Sequence, residues 1–251
     1  MEPLNAEKIT ALLQSADMAV RVYDAVDSTS SECRRRLEAG EERCLIAAER
    51  QTGGRGRQGR DFFSPAGRGL YFSLLFAPEG GIATADGFTA YAAVCVRHAI
   101  LDCCGIGCSI KWVNDIYLGD KKVCGILTEA VGDALIVGVG IDILPGELPA
   151  ELTETVGVLG VDCDRNVLCA AIANGLLAWD GSDRSFMAEY RAASIVLGRE
   201  IAFLQNGEER RGIARDLAPD GGLIAEVDGA LCRLDSGEVR LVKDRLFADN
   251  H

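Results

Sequence analysis

Histidine is almost missing from this sequence of 251 residues, which contains only His98 and His251. Two histidines are too few for most histidine-built zinc sites and proton relays. Positive charge is also scarce, since 26 Lys and Arg face 38 Asp and Glu and the formal net charge is −12. Proteins that coat DNA or RNA are normally basic, so the charge balance argues against that class.

Two kinds of apolar segment are lacking as well. The first five residues are polar and do not form the basic and apolar regions of a secretory signal peptide. The longest apolar stretch, 88–110, is interrupted by Arg97, His98 and Asp102, which argues against a membrane span. Because 48% of the residues are hydrophobic and 25% are charged, the composition is globular. We expect a cytoplasmic protein.

The sequence is rich in cysteine, with ten residues of this type. Most of them stand in apolar runs, where thiols pack as small hydrophobic groups. Without a signal peptide, we interpret them as reduced, buried thiols. The tightest group is Cys103, Cys104 and Cys108, but no fourth ligand at matching spacing accompanies it, so it does not predict a metal site.

The length allows one large domain, or one domain with a small appendage. Up to residue 193 the pattern alternates between strands and helices, including a helix over 84–104 and a hairpin at Gly119-Asp120. A helix also opens at 27–30, where Thr29 and Glu32 have the spacing of a capping box. From residue 194 onward, five short strands with an Asp228-Gly229 turn predict a small β-barrel.

The loop over 49–69 carries the clearest chemical signal, with six glycines and five arginines. Within it, 53–60 reads Gly-Gly-Arg-Gly-Arg-Gln-Gly-Arg. Glycines let backbone N–H groups approach an anion, and arginines add forked donors that match phosphate or carboxylate. The segment therefore indicates an anion-binding loop. A flexible surface loop and an Arg-Gly nucleic-acid tether remain as alternatives.

A second segment, Lys111-Trp112-Val113-Asn114-Asp115, places a lysine on a short strand between apolar neighbours. Such a lysine is costly to bury unless its ammonium group meets an anion. The alternative is a lysine that reaches water along its apolar stem, beside an Asn-Asp pair that forms only a turn.

Taken together, these segments resemble the biotin protein ligases. That family carries a Gly-Arg-Gly-Arg-x-Gly-Arg loop, a Lys-Trp-Pro-Asn-Asp motif, a Lys-x-x-Gly-Ile-Leu hairpin and a Gly-x-Gly-x-Asn strand. The corresponding segments here, in the same order, are 54–60, 111–115, 122–127 and 138–142. Asp27-Ser28-Thr29 and the ending over 236–239 fit the family too. Val113 replaces the family's proline, and Asp142 replaces its asparagine, so that an amide donor becomes an acceptor when ionised.

The resemblance implies an α+β fold. We expect residues 1–193 to form a catalytic domain of the biotin/lipoyl ligase type, with a mixed sheet and helices on one face. Residues 194–251 would form an SH3-like β-barrel. Only about nineteen residues precede the first predicted strand, so we expect the monofunctional type, without an N-terminal DNA-binding domain. Monomeric and homodimeric states are both compatible with the sequence.

The implied reaction joins biotin and ATP, with Mg²⁺, into biotinyl-5′-AMP and then transfers biotin to a lysine of a biotin carboxyl carrier domain. Lys111 and Arg57 would be catalytic. The biotin site would contain Ser28, Thr29, Gln51, Gly54, Arg55, Arg57, Lys111 and Gly125. The ATP and adenylate site would contain Arg55, Arg57, Arg60, Lys111, Asn114 and Asp142. No metal ligand and no adenine-stacking residue are assigned.

Three other functions remain as alternatives. A lipoyl or octanoyl transferase or ligase shares the fold, and Cys124 would be its nucleophile. A biotin-responsive transcriptional repressor would need a DNA-binding segment. A non-catalytic biotin-binding module would not need Lys111 beside the arginines.

Overall fold

The computed structural model describes residues 1–205 and 207–242. His251 and the end of the predicted second domain lie outside the described residues. The helices are α1 (Ala6–Leu12), α2 (Thr29–Glu38), α3 (Phe88–Cys104), α4 (Arg165–Leu177) and α5 (Phe186–Ala193). No helix of the described part has the length and apolarity that crossing a membrane requires.

Seven strands form the first sheet, in the order β1-β2-β3-β7-β6-β5-β4. They are β1 (Ala19–Tyr23), β2 (Cys44–Ala48), β3 (Gly69–Phe76), β4 (Ser109–Lys111), β5 (Asp115–Leu118), β6 (Lys121–Val131) and β7 (Ala134–Asp142). β1 pairs with β2 in parallel, and the other pairs are antiparallel. The predicted mixed sheet is therefore confirmed.

The helices cover both faces of this sheet, which corrects one detail of the predicted fold. Along β2, Leu45 and Ala47 pack into the large core with α1, α3, α4 and α5. Cys44 and Ile46 point the other way and pack against Cys33 of α2. Since every residue of β2 is buried and successive side chains alternate between faces, one layer of helices would leave half of this strand exposed.

The start of α2 differs from the expected capping box. Ser28 is the N-cap residue, and its side chain accepts a hydrogen bond from the Ser31 amide. The pairing of Thr29 with Glu32 was wrong, because the helix begins at Thr29 and the cap therefore lies one residue earlier. The Thr29 hydroxyl is instead turned toward Gln51 and Ser73.

The second sheet contains β8 (Glu200–Gln205), β9 (Glu208–Leu217), β10 (Leu223–Val227), β11 (Ala230–Leu234) and β12 (Val239–Leu241). All its pairs are antiparallel, in the order β11-β10-β9-β8-β12. Asp228 and Gly229 turn the predicted hairpin with positive φ angles, as a two-residue turn of type I′ requires. The C-terminal antiparallel sheet is thus confirmed, whereas the closed barrel and the domain limits remain predictions.

All ten cysteines are free thiols, and five of them are buried. This agrees with their interpretation as reduced packing residues.

Trp112, which follows β4, joins the two sheets. Its ring is buried, and its indole Nε1 donates a hydrogen bond to the Gly221 carbonyl, 2.8 Å away, in the loop before β10. If this donor were removed, the buried Gly221 carbonyl would lose a hydrogen bond that water cannot readily replace.

We expect Trp112→Phe to lower the free energy of unfolding more than Trp179→Phe does, by about 1–3 kcal/mol. Trp179 is also buried, but its Nε1 has no hydrogen-bond partner among the described residues. Both variants lose the same ring volume, so urea unfolding of the two isolates the hydrogen bond. Equal losses would show that the contact with Gly221 contributes nothing.

Candidate functional site

A cleft that is open to solvent lies at the start of α2 and over β6 and β7. It is bounded by the glycine-arginine loop, by the segment from β4 to β6 and by the turn before β12. Of the predicted site residues, those that line it are Ser28, Thr29, Gln51, Arg55, Arg57, Arg60, Lys111, Asn114 and Gly125. The fold thus brings together side chains that are up to 97 positions apart, from Ser28 to Gly125.

Glycines form the floor of the cleft. Gly125 of β6 lies opposite Gly140 of β7, and Gly138 lines the cleft two residues away. A Cβ atom on Gly138 would come within 2.7 Å of the Ser30 Oγ, and one on Gly140 within 2.5 Å of the Phe62 ring. Because no side chain rises from these positions, the flat ring of Phe62 packs directly on Gly140 and Gly125.

A buried polar network closes one end of this floor. The Ser73 hydroxyl, which is fully buried, lies 2.7 Å from the Thr29 hydroxyl and 2.9 Å from the Ser30 hydroxyl. Gln51 accepts a hydrogen bond from the Thr29 amide and donates one to the Ser64 hydroxyl. Donors and acceptors therefore converge at the N-terminus of α2, where a helix favours polar ligands.

The loop folds back on itself beside the cleft. The Gly56 amide donates to the Arg60 carbonyl at 2.7 Å, and the Phe62 amide donates to the Gly54 carbonyl at 2.9 Å. Gly54 does not line the cleft. A Cβ atom there would approach the Phe62 carbonyl to 2.3 Å, so this glycine is needed for the packing of the loop.

Arg55 and Arg57 are each held by a partner outside the loop. The Arg55 guanidinium lies 3.4 Å from the Glu129 carboxylate on β6. Arg57 donates to the Asn114 side-chain oxygen at 3.1 Å. Asn114 is itself fixed, since its amide donates to the Ile126 carbonyl at 2.6 Å. Asn114 therefore aims Arg57 into the cleft.

Two lysines, Lys111 and Lys122, reach the cleft. Lys122 forms an ion pair with Asp115, with 2.8 Å between Nζ and Oδ1. Lys111 forms no ion pair with any described residue, and its Nζ lies 5.5 Å from the centre of the Tyr117 ring. Burial lowers the pKa of Lys111, although Asp115 and Glu238 oppose this effect. An anion that enters the cleft would therefore meet the Lys111 ammonium group, which is already partly removed from water.

Sequence reasoning assigned no role to Lys122, although the Lys-x-x-Gly-Ile-Leu segment contains it. The sequence does not show that the Lys122 side chain reaches the cleft, and this contact is visible only in the structure. A Cβ atom on Gly125 would meet the end of the Lys122 side chain at 3.2 Å, so this lysine folds over the glycine floor. A lysine three residues before a strand glycine was the available signal.

The second sheet also contributes to the cleft. Gly237 and Glu238, in the turn before β12, belong to its lining. Glu238 pairs with Arg60, and this guanidinium lowers the pKa of the Glu238 carboxyl. The sequence of segment 236–239 indicates only the C-terminal domain, because nothing in it shows where the turn lies in space.

Asp142, at the end of β7, does not line the cleft. Its side chain is buried, and its Oδ1 has no hydrogen-bond partner among the described residues. Burial raises the pKa of Asp142 to about 7, and Arg68 and Lys122 oppose this only in part. A direct contact of Asp142 with ATP remains a prediction.

Comparison with known proteins extends these observations to most of the chain. The Biotin/lipoate A/B protein ligase family matches residues 22–142, and the Biotin protein ligase C terminal domain matches residues 196–242. The solved structure of the Aquifex aeolicus biotin protein ligase in complex with biotin and ATP is 30% identical, with a TM-score of 0.76. The match covers 89% of this chain and 98% of that one.

The chain belongs to the biotin protein ligase family. Curated relatives agree with this assignment. The Mycobacterium tuberculosis biotin–[acetyl-CoA-carboxylase] ligase is 27% identical over 253 residues, covering 94% of this chain and 95% of the relative. The Escherichia coli bifunctional ligase/repressor BirA is 29% identical over 253 residues, covering 95% of this chain and 78% of the relative. The family and enzyme class predicted from the motifs are confirmed.

We expect Asp142→Asn, which restores the amide typical of the family, to stabilise the protein at high pH. The ordinary pKa of 3.8 rises to about 7 on folding, so the folded state binds the proton more tightly than the unfolded chain does. Stability is therefore lost as the pH rises from about 4 to 7, and the loss is complete above 7.

Urea unfolding should show the variant to be more stable than the parent by on the order of 4 kcal/mol at pH 8, and equal to it near pH 4. The exposed Asp120 supplies the control, since Asp120→Asn should give no pH-dependent gain. A constant difference at both pH values would contradict the burial of an ionised Asp142.

Proposed function

We propose that this protein ligates biotin to a lysine of a biotin carboxyl carrier domain in two steps, through biotinyl-5′-AMP. One observation carries the proposal: a single cleft joins an apolar glycine floor with a polar end to a cluster of cations. The Aquifex aeolicus neighbour is described in complex with biotin and ATP, and the relatives are named as ligases acting on acetyl-CoA carboxylase.

The glycine floor suits the biotin ring system. The fused rings would lie on Gly125, Gly138 and Gly140, and the polar ureido head would meet the network of Thr29 and Gln51. The Phe62 ring, which packs on Gly140 and Gly125, would have to swing off these glycines to admit the biotin rings and would then cover their outer face. The carboxylate at the end of the valeryl chain would then point toward the cations.

In the first step, a biotin carboxylate oxygen attacks the α-phosphorus of ATP. A bond forms between that oxygen and phosphorus, the bond to the β-phosphate bridge breaks, and pyrophosphate leaves. Both reactants are anions, so the chain must neutralise and align them. Lys111, Lys122 and Arg57 supply positive charge where the two anions meet.

In the second step, the amine of the acceptor lysine attacks the acyl carbon of the mixed anhydride. An amide bond forms, AMP leaves, and the amine loses a proton. Water competes for the same carbon, so the intermediate must be shielded until the acceptor arrives. The ion pairs of Arg55 with Glu129 and of Arg60 with Glu238 hold the loop over the cleft for this purpose.

Magnesium belongs to the proposal only as a companion of the ATP phosphates. Among residues 1–205 and 207–242, no three His, Cys, Asp or Glu side chains converge to hold a metal ion. The acidic groups Asp115 and Glu238 are already paired with cations. The part of the chain that the structure describes thus shows no such cluster, and no step here is assigned to the ion.

The lipoyl or octanoyl transferase alternative loses its nucleophile. Cys124 is fully buried, and burial raises the pKa of its thiol well above the ordinary value. A thiol in this state is neither reachable nor ionised at neutral pH.

The carrier domain as acceptor, the cytoplasmic location and the lack of a DNA partner remain predictions. The oligomeric state, monomer or homodimer, also remains open to both predictions.

The direct test mixes the protein with biotin, ATP, Mg²⁺ and a biotin carboxyl carrier domain, followed by mass spectrometry. We expect the carrier to gain the mass of one biotinyl group on one lysine. Lipoate in place of biotin should give no product. Modification by lipoate, or no modification with either acid, would contradict the proposal.

We expect Lys111→Ala and Lys122→Ala each to reduce biotin-dependent exchange of pyrophosphate into ATP by about 100-fold, because each removes charge from the reacting anions. Lys121→Ala is the matched control. Lys121 precedes Lys122 on β6, but its Nζ donates to the Thr153 carbonyl and it does not line the cleft. Exchange near the normal rate in a folded Lys111 or Lys122 variant would remove that residue from the mechanism.

A further inference from the structure

Arg165, the first residue of α4, carries a buried guanidinium whose side chain is only 2% exposed. A buried cation is costly unless its charge is paired and its donors are satisfied. Nothing in the sequence marks this residue as special, because it follows the N-cap residue Asp164 and looks like an ordinary helix arginine. Its contacts place it between the two ends of the glycine-arginine loop.

The Arg165 guanidinium contacts both ends of the glycine-arginine loop. Glu49 directly follows β2, and its two carboxylate oxygens accept from Nη1 at 2.8 Å and from Nη2 at 3.0 Å. Gly69 opens β3, and its carbonyl accepts from Nη1 at 3.0 Å. Every residue of the loop, 50–68, lies between these two contacts, so one rigid planar group sets the separation of the two stems.

The N-terminal segment completes this arrangement. Nε and Nη2 of Arg165 donate to the Glu2 carbonyl at 3.2 and 2.8 Å. With these contacts, all five N–H donors of the guanidinium are engaged. The Leu4 amide donates to the Glu49 carboxylate at 2.8 Å, so residues 2–4 lie over the ion pair.

The Glu49 carboxyl is ionised at neutral pH in this environment. Burial alone would raise the pKa of Glu49, but Arg165 and the Leu4 amide outweigh burial and lower it. The pair is therefore a true ion pair, with a guanidinium that fits the carboxylate through two parallel hydrogen bonds.

We propose that Arg165 is a positioning residue for adenylate formation and retention, acting through the two stems of the loop. This inference rests on the proposed ligase function. Gln51, which bonds to Thr29 at the polar end of the cleft, is two residues from Glu49. Arg57 lies farther along the same loop. A shift of either stem would displace Gln51 and Arg57. The entropic cost of ordering the loop over the intermediate would also rise, because the two ends of the loop would no longer be fixed.

The test compares Arg165→Lys and Glu49→Gln with the parent and with Arg97→Lys. A lysine keeps the charge but cannot form the planar bridge between Glu49 and Gly69. Glu49→Gln keeps the size and removes the charge, and it serves if Arg165→Lys does not fold. Arg97 is the control, because its guanidinium donates to the Cys108 carbonyl, and neither residue belongs to the loop or the cleft.

Three quantities are measured at a temperature at which every variant is folded: escape of biotinyl-AMP without carrier, the kinetic constants of adenylate formation, and cleavage of the loop by an arginine-specific protease. We expect escape to rise about tenfold and the KM for biotin and ATP about fivefold, with kcat within about twofold of the parent. Cleavage after the loop arginines should also accelerate. Arg97→Lys should match the parent in all three.

A folded Arg165→Lys or Glu49→Gln variant with parental escape, KM and cleavage would overturn the proposal. A purely structural role would lower the unfolding midpoint without changing these quantities, and that result also counts against it. If the parent itself forms no adenylate, the ligase function fails, and the cleavage rate alone then decides whether Arg165 holds the loop.

Discussion

Mutual repulsion among cations is the constraint on which the cleft depends. A protein with a net charge of −12 gathers five positive side chains in one place, namely Arg55, Arg57, Arg60, Lys111 and Lys122. Three of them are paired with carboxylates supplied by other segments, and Arg57 is held by an amide. These partners keep the cations in position before a substrate arrives, and Lys111 is left to meet an incoming anion. Because the field is preorganised, little rearrangement is needed when phosphate charge enters.

The rest of the fold supplies the geometry that this charge cluster needs. β6 and β7 bring Gly125 and Gly140 into register, and a slip by one residue would place side chains on the floor of the cleft. α2 lies on the face opposite the other helices and brings its N-terminus to the polar end. Glu238, in the turn before β12 of the second sheet, lines the cleft and pairs with Arg60. The C-terminal part of the chain therefore contributes a side chain to the cleft.

Sequence reasoning succeeded where a signal is local and failed where partners are distant. The glycine-arginine loop and the Lys-Trp segment both line the cleft, and they could be found in the sequence because residue types that bind anions stand next to one another in the chain. The same reasoning missed Lys122, Glu238 and Arg165. Glu238 and Arg165 act through contacts with residues remote in sequence, such as the pairing of Glu238 with Arg60 across 178 positions. The capping role predicted for Thr29 is wrong for a related reason: its hydroxyl contacts Gln51 and Ser73, and Ser73 lies on β3, 44 positions away.

The sequence by itself determined the family, the α+β class and the chemistry of the loop, since motif order and residue type are properties of the linear chain. Only the tertiary structure decided which cations are paired, that Gly54 serves the packing of the loop and that Asp142 is buried away from the cleft. It also decided that α2 covers the second face of the sheet. The physical reason is that desolvation and ion pairing depend on distances through space, and these are set by strand register and helix packing that no local pattern encodes.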